Sequence, residues 1–186
     1  YCFGVYFMQE EEKQEKKSQE AGNPEETNPF KFSFKNQFAS LGSMTVYRSG
    51  KQRCAPNFSR HHRIYEFYIL HYVTKGSGTY IINGKTYRVG EGDAFLIYPG
   101  IPIDKYTDPD NPWEYCWVGF NGTDAQMIMN MTLFSMDNAV LKLNDPDIGR
   151  MIEDIYDLRG NQINSIIMMT GKLYELLAYM LELSHK

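Results

Sequence analysis

YILHYVTKGSGTYIINGKTYRVGEGDAFLIYPGIPIDKY, residues 68–106, decides the fold of this 186-residue chain. Counted from Glu66, EFYILHYVTK is apolar on both faces and reads as a central strand. TYIINGKTYRV carries the strongest local signal. Asn83-Gly84 stands between two alternating arms, and a two-residue type I′ turn needs that dipeptide because both central residues take positive φ. Gly90 and Gly92 punctuate the next turn, DAFLIY (93–98) is a short buried strand, and Pro99-Gly100 with Pro102 forces a corner.

The pattern extends both ways. DPDNP (108–112) is a further turn, and WEYCWVGF (113–120) is an aromatic strand with Trp113, Tyr115 and Trp117 on one face by period two. Upstream, FKFSFKNQF sets Phe30, Phe32, Phe34 and Phe38 at even spacing, which predicts a half-buried strand. MTVYR (44–48) reads as another strand, and RCAPNFSRHHR (53–63) as a polar connection. Short strands broken by Gly/Pro turns imply a sandwich or barrel.

From Thr123 the period changes. TDAQMIMNM has helical spacing with Thr123 as the N-cap candidate, and NAVLKL (138–143) returns as one more strand. Asp145-Pro146 is a helix start, with Ile148, Met151, Ile152 and Ile155 forming its apolar stripe. A second helix from about Asn164 bears a broad band including Ile167, Leu173, Leu176, Leu177, Met180 and Leu181. Such a band either packs within the chain or joins two copies.

Composition narrows the function. At 42% hydrophobic and 15% aromatic, the chain suits one well-filled domain with a small appendage. A formal charge of -4 and a pI near 5.6 argue against this chain gripping a polyanion by itself. Cys2, Cys54 and Cys116 form no CxxC and no disulfide framework, which points to a reducing cytoplasm. No apolar run has the length of a membrane helix, and YCFGVYFM lacks the basic start of a signal peptide. Residues 9–29, rich in Glu and Lys and ending in two prolines, read as a solvated linker or arm. Because the chain begins at Tyr1, a trimmed product of a longer protein is expected.

The run from Tyr68 to Gly122 resembles the N-terminal sensor domain of AraC-type transcription regulators, a cupin-like jelly roll followed by dimerising helices. The resemblance is close over residues 60–122 and rests on the order of parts: the strand-turn ending at Gly78, the NG hairpin, the GD-strand-PG corner, then DPDNPWEYCWVGF. It implies a mainly β fold with C-terminal helices, divided as an arm or linker over 1–29, a ligand-binding barrel over 30–144 and an antiparallel pair of dimerisation helices over 145–186. It further implies that two helix-turn-helix motifs follow beyond Lys186, so that any DNA contact lies outside this chain.

The resemblance also tests for metal, which needs about three or four His or carboxylate ligands at one point. Cupins place a histidine where this chain has Ile103 and a glutamate where it has Ile69, and the remaining ligand positions fall among His62, Arg63, Ile64 and Tyr65. A metal-free barrel without cofactor is expected. His71, on the central strand, reads as a packed or surface residue.

By the same resemblance, Tyr115 and Trp117 line a pocket for a sugar or related metabolite. Tyr106 joins them with Lys105 as its rival. Among Arg60, His61, His62 and Arg63 one supplies a ligand contact, with Arg63 favoured. The ligand set is therefore His62, Arg63, Tyr65, Tyr106, Tyr115 and Trp117. Leu173, Leu176, Leu177, Met180 and Leu181 are the candidates for a homodimer interface. Three functions follow: a non-catalytic effector sensor of a transcription regulator, a metal-free sugar isomerase or epimerase using Tyr and His, and a lectin-like carbohydrate-binding module.

Overall fold

A computed structural model describes residues 28–36 and 43–184. The arm or linker expected over 1–29 lies almost wholly outside the described residues.

Among the described residues, ten strands and three helices follow in order: β1 (Phe30–Lys35), β2 (Thr45–Arg53), β3 (Ser59–Arg63), β4 (Tyr68–Lys75), β5 (Ser77–Ile82), β6 (Lys85–Gly90), β7 (Asp93–Ile97), β8 (Ile103–Thr107), β9 (Glu114–Asn121), α1 (Ala125–Met131), β10 (Val140–Lys142), α2 (Pro146–Asp157) and α3 (Ile163–Leu183). They form a six-stranded sheet, β1-β2-β9-β4-β7-β10, and a four-stranded sheet, β3-β8-β5-β6, antiparallel throughout. This is the jelly roll followed by helices that the resemblance implies. Among the described residues no helix is long and apolar enough to cross a membrane.

The hairpin forms as Asn83-Gly84 demands, with φ of 50° and 72° and Ile82 paired to Lys85. The GEGD turn is tied by Asp93, whose carboxylate accepts from the Gly90 N–H at 2.6 Å and pairs with Lys142. Gly92 takes φ +82° and lies so near Asn144 that a Cβ would sit 2.6 Å from its Oδ1.

Two apolar clusters account for strands that are apolar on both faces. Between the sheets lie Ile69, Val73, Tyr80, Phe95, Ile97, Ile103, Trp113, Tyr115 and Trp117. On the outer face of the six-stranded sheet, Leu70, Tyr72, Leu96, Cys116, Val118 and Phe120 pack with Ile148, Ile152, Ile155, Leu173, Leu176 and Leu177 of the helices. Gly149 lets α2 lie on β4, since a Cβ there would meet the Tyr72 ring at 2.9 Å.

Several expectations change. Residues 59–63, read as part of a polar connection, form β3, because their polar side chains suit a sheet edge beside β8. Asp124, not Thr123, is the N-cap of α1, and its side chain makes no capping bond. The even-numbered phenylalanines of β1 turn away from the barrel interior. Phe32 is 45% exposed and Phe34 packs with the helix-side cluster, while Lys31 faces the interior.

Most of the expected dimer residues are buried within a single chain. Leu173, Leu176, Leu177 and Met180 are 0%, 0%, 2% and 3% exposed within one chain, and Leu181 is half-buried. Leu173, Leu176, Leu177 and Met180 belong to the helix–sheet core, the nearer apolar surface. The outer side of α3 instead shows Ile163, Ile167 and Met168.

Candidate functional site

The barrel interior contains a cavity lined by Lys31, Arg48, Gln52, Phe58, Arg60, Tyr65, Ile69, His71, Lys105, Tyr115 and Trp117. Strand alternation places them. On β9 the face of Trp113, Tyr115 and Trp117 points inward and that of Cys116 and Val118 points to the helices. Gly50, paired with Trp117 across β2 and β9, makes room for the indole, since a Cβ would lie 2.6 Å from Trp117 Cζ2. Trp113 is sealed beneath, against Gly78, where a Cβ would lie 2.5 Å from its Cε3.

The aromatic wall is continuous. His71 stacks on Phe95 with centroids 4.4 Å apart and planes at 8°, Tyr115 meets His71 edge-on at 5.1 Å, and Trp117 lies 6.0 Å from Tyr115. Polar atoms sit at the inner end. Lys105 Nζ is 3.3 Å from His71 Nε2 and 4.9 Å from the centroid of the Tyr115 ring. Cys54 Sγ donates to the Tyr115 hydroxyl at 3.6 Å, and that hydroxyl donates to Gln52 Oε1 at 3.4 Å.

Burial sets the protonation of this cluster. It brings Lys105 down from its ordinary 10.5 to about 7, partly opposed by Cys54, with Arg60 and Lys31 adding smaller repulsions. Burial, then the Lys105 charge, holds His71 well below the usual imidazole range, so its neutral ring can accept from the Lys105 ammonium. Burial also keeps the Tyr115 phenol protonated and raises the Cys54 thiol to about 11.

Of the sequence-predicted ligand residues, Tyr65, Tyr115 and Trp117 line the cavity, and His62, Arg63 and Tyr106 do not. The β3–β8 register shifts between Arg60 and Arg63, and within that irregularity His62 takes φ 47°, is exposed, and donates its backbone N–H to Asp104 Oδ1 at 2.7 Å. Tyr106 lies on the opposite face of β8 from Lys105, its hydroxyl 3.2 Å from His61 Nδ1. Arg60 and Lys105, the rivals of Arg63 and Tyr106, hold the cavity positions. His71, expected to be a packed or surface residue, is buried and lines it as well.

Lys105 was signalled by Ile103. Ile103, buried in the interior, shares its face of the strand with the residue two further on. Ile69 and Ile103 are both buried in the interior, and among the described residues no group of three His, Cys, Asp or Glu is arranged to hold a metal ion.

Comparisons with known proteins agree with this architecture. The lactose operon transcription activator of Staphylococcus xylosus is 31% identical over 125 residues, covering 65% of this chain and 44% of that protein. The Msm operon regulatory protein of Streptococcus mutans serotype c (strain ATCC 700610 / UA159) is 27% identical over 147 residues, 76% of this chain and 53% of that protein. The raffinose operon transcriptional regulatory protein RafR of Pediococcus pentosaceus is 25% identical over 132 residues, 68% of this chain and 48% of that protein. The chain thus spans about half the length of the curated relatives it matches. The model of the AraC-like ligand binding domain matches residues 46–177, from the second strand through most of the last helix. On that match the chain belongs to the family of AraC-like ligand-binding domains.

Proposed function

We propose that this chain is the effector-sensing part of a sugar-responsive transcription regulator, working in the cytoplasm and binding a small carbohydrate-like molecule in the barrel without chemical turnover. The observation that carries the reading is the convergence of Tyr65, Tyr115 and Trp117 with Gln52 and Arg60 on one cavity. Aromatic faces cover the C–H faces of a sugar ring while amide and guanidinium groups satisfy its hydroxyls, which are costly to bury unpaired. The cavity is about 60 Å³, small beside the ~300–1,000 Å³ of ligand pockets, so binding a sugar ring requires its lining side chains to move apart. The operon regulators among its relatives favour the same assignment.

DNA contact falls to a helix-turn-helix part outside these residues, and pairing with a second copy to the exposed side of α3. The isomerase alternative asks Tyr and His for proton transfer near neutrality. His62 is exposed outside the cavity, and burial moves His71 and Tyr115 away from neutral pH in opposite directions, which weighs against it.

A thermal-shift screen of sugars and glycosides tests the proposal. A ligand of the native state raises Tm with concentration, by about 2.7 kcal/mol of stabilisation at 100-fold Kd. The shift is expected to vanish in Trp117→Ala and to shrink in Arg60→Gln. Turnover of the hit, abolished by His62→Ala, would overturn the reading.

A further inference from the structure

Resting on the ligand-binding reading above, we infer that the effector carries an anionic group, a phosphate or a carboxylate on a sugar scaffold, and that Lys105 and Arg60 hold it inside the barrel.

Three observations carry this. First, Arg60 and Lys105 are directly paired across β3 and β8, and both line the cavity. Like charges opposite one another destabilise a strand pair, and an anion between them reverses the sign of that interaction. Second, Lys105 is only 4% exposed, and its described contacts include no carboxylate: the His71 ring nitrogen and the faces of Phe95 and Tyr115, with centroids at 5.7 and 4.9 Å. Arg60 lies over the Phe58 ring at 4.9 Å. A buried charge without a counter-charge is costly unless a partner supplies one.

Third, the described lining includes no Asp or Glu. The nearby carboxylates are engaged elsewhere: Asp104 accepts from the His62 backbone, and Glu114 pairs with Arg53 at 2.8 Å. Lysine and arginine only donate hydrogen bonds. A neutral polyol presents donors as well as acceptors. A phosphate or carboxylate presents acceptors, matching a wall whose charged groups all donate.

A pH signature follows from the groups around Lys105. Those facing it or acting on it are His71 from β4, Tyr115 from β9, Phe95 from β7, Arg60 from β3, Lys31 from β1 and Cys54 after β2. Burial leaves Lys105 at about 7, so a bound anion restores its proton. Binding therefore takes up a proton above neutrality and weakens as pH rises.

The test is isothermal titration of the whole chain at low salt with a panel of neutral mono- and disaccharides, their phosphorylated and carboxylated counterparts, and inorganic phosphate and acetate. The expected result is a charged sugar that binds about 10-fold or more tightly than its neutral parent. The preference should be lost in Lys105→Met, reduced in Arg60→Gln, and accompanied by proton uptake in buffers of different ionisation enthalpy. Circular dichroism checks that both variants are folded. A neutral sugar that binds as tightly as its charged counterparts, and equally well to Lys105→Met, overturns the inference while the carbohydrate reading stands. Inorganic phosphate binding without any sugar supports the anion and overturns the carbohydrate. Binding of nothing in the panel overturns both.

Discussion

Gly50 and Gly78 fix where the two indoles of the barrel lie. A methyl group at Gly50 would sit 2.2 Å from the Phe32 carbonyl oxygen as well as against Trp117, and one at Gly78 would sit 2.6 Å from the Tyr106 carbonyl oxygen. Backbone on one side and a packed ring on the other leave little room to yield. Gly78→Ala is expected to lose about 1–3 kcal/mol of stability, measured by urea unfolding. Lys105 makes the opposite prediction. Its folded pKa, about 7, lies below its ordinary 10.5, so between these values the unfolded chain binds the extra proton. Stability rises with pH through that window, and the full penalty applies below it. Lys105→Met should therefore be more stable than the parent at pH 7 and below, by roughly 2–4 °C in Tm per kcal/mol gained, with the difference fading towards pH 10.5. Period two puts Tyr115 and Trp117 on one face with Trp113, and the resemblance assigns these two to a pocket. Arg63 and Tyr106 lie outside the cavity lining. The irregularity between Arg60 and Arg63 changes which residue turns inward, and a run of four polar residues gives no sign of it.

At the scale of elements, the parts with strict backbone demands were legible. The NG hairpin needs positive φ twice, and Asp145-Pro146 needs a cap and a first-turn proline; both form as read. Strand β3 was hidden because an edge strand needs no apolar alternation, and β8 because its prolines announce a corner before it starts. The start of α2 has a second use. Asp145 accepts from the Asp147 N–H at 3.1 Å, capping the helix, and from the Tyr179 hydroxyl of α3 at 2.6 Å. Asp145→Ala should cost about 1 kcal/mol through the lost cap alone. A double-mutant cycle with Tyr179→Phe is expected to show positive coupling, since both substitutions remove the same tie between α2 and α3.

At the scale of the molecule, the six-stranded sheet is covered on both faces, by the barrel interior and by the helices. Calorimetry should show one transition for barrel and helices together, because removing α2 and α3 would bare Leu70, Leu96 and Val118. The sequence displayed the apolar band of α3 but not its division, since the band is wider than one contact. Leu173 and Leu176 went to the sheet, and Ile163 and Ile167, 61% and 62% exposed, stayed outside. For the proposed pairing, Ile167→Glu should shift a dimer to monomer in analytical ultracentrifugation while leaving the fold of the single chain intact by circular dichroism, whereas Leu176→Ala should cost about 2–5 kcal/mol of stability.

The placement of Trp113 and Trp117 has an optical consequence. They are the two tryptophans of the entire chain, one sealed at 0% exposure and the other at the cavity wall at 7%. Helices and outer surface contribute no indole emission, so the intrinsic fluorescence of the unlabelled protein originates inside the barrel. Quenching or a spectral shift on titration reports occupancy of the cavity directly, and Trp117→Phe leaves the emission of Trp113 as an internal reference.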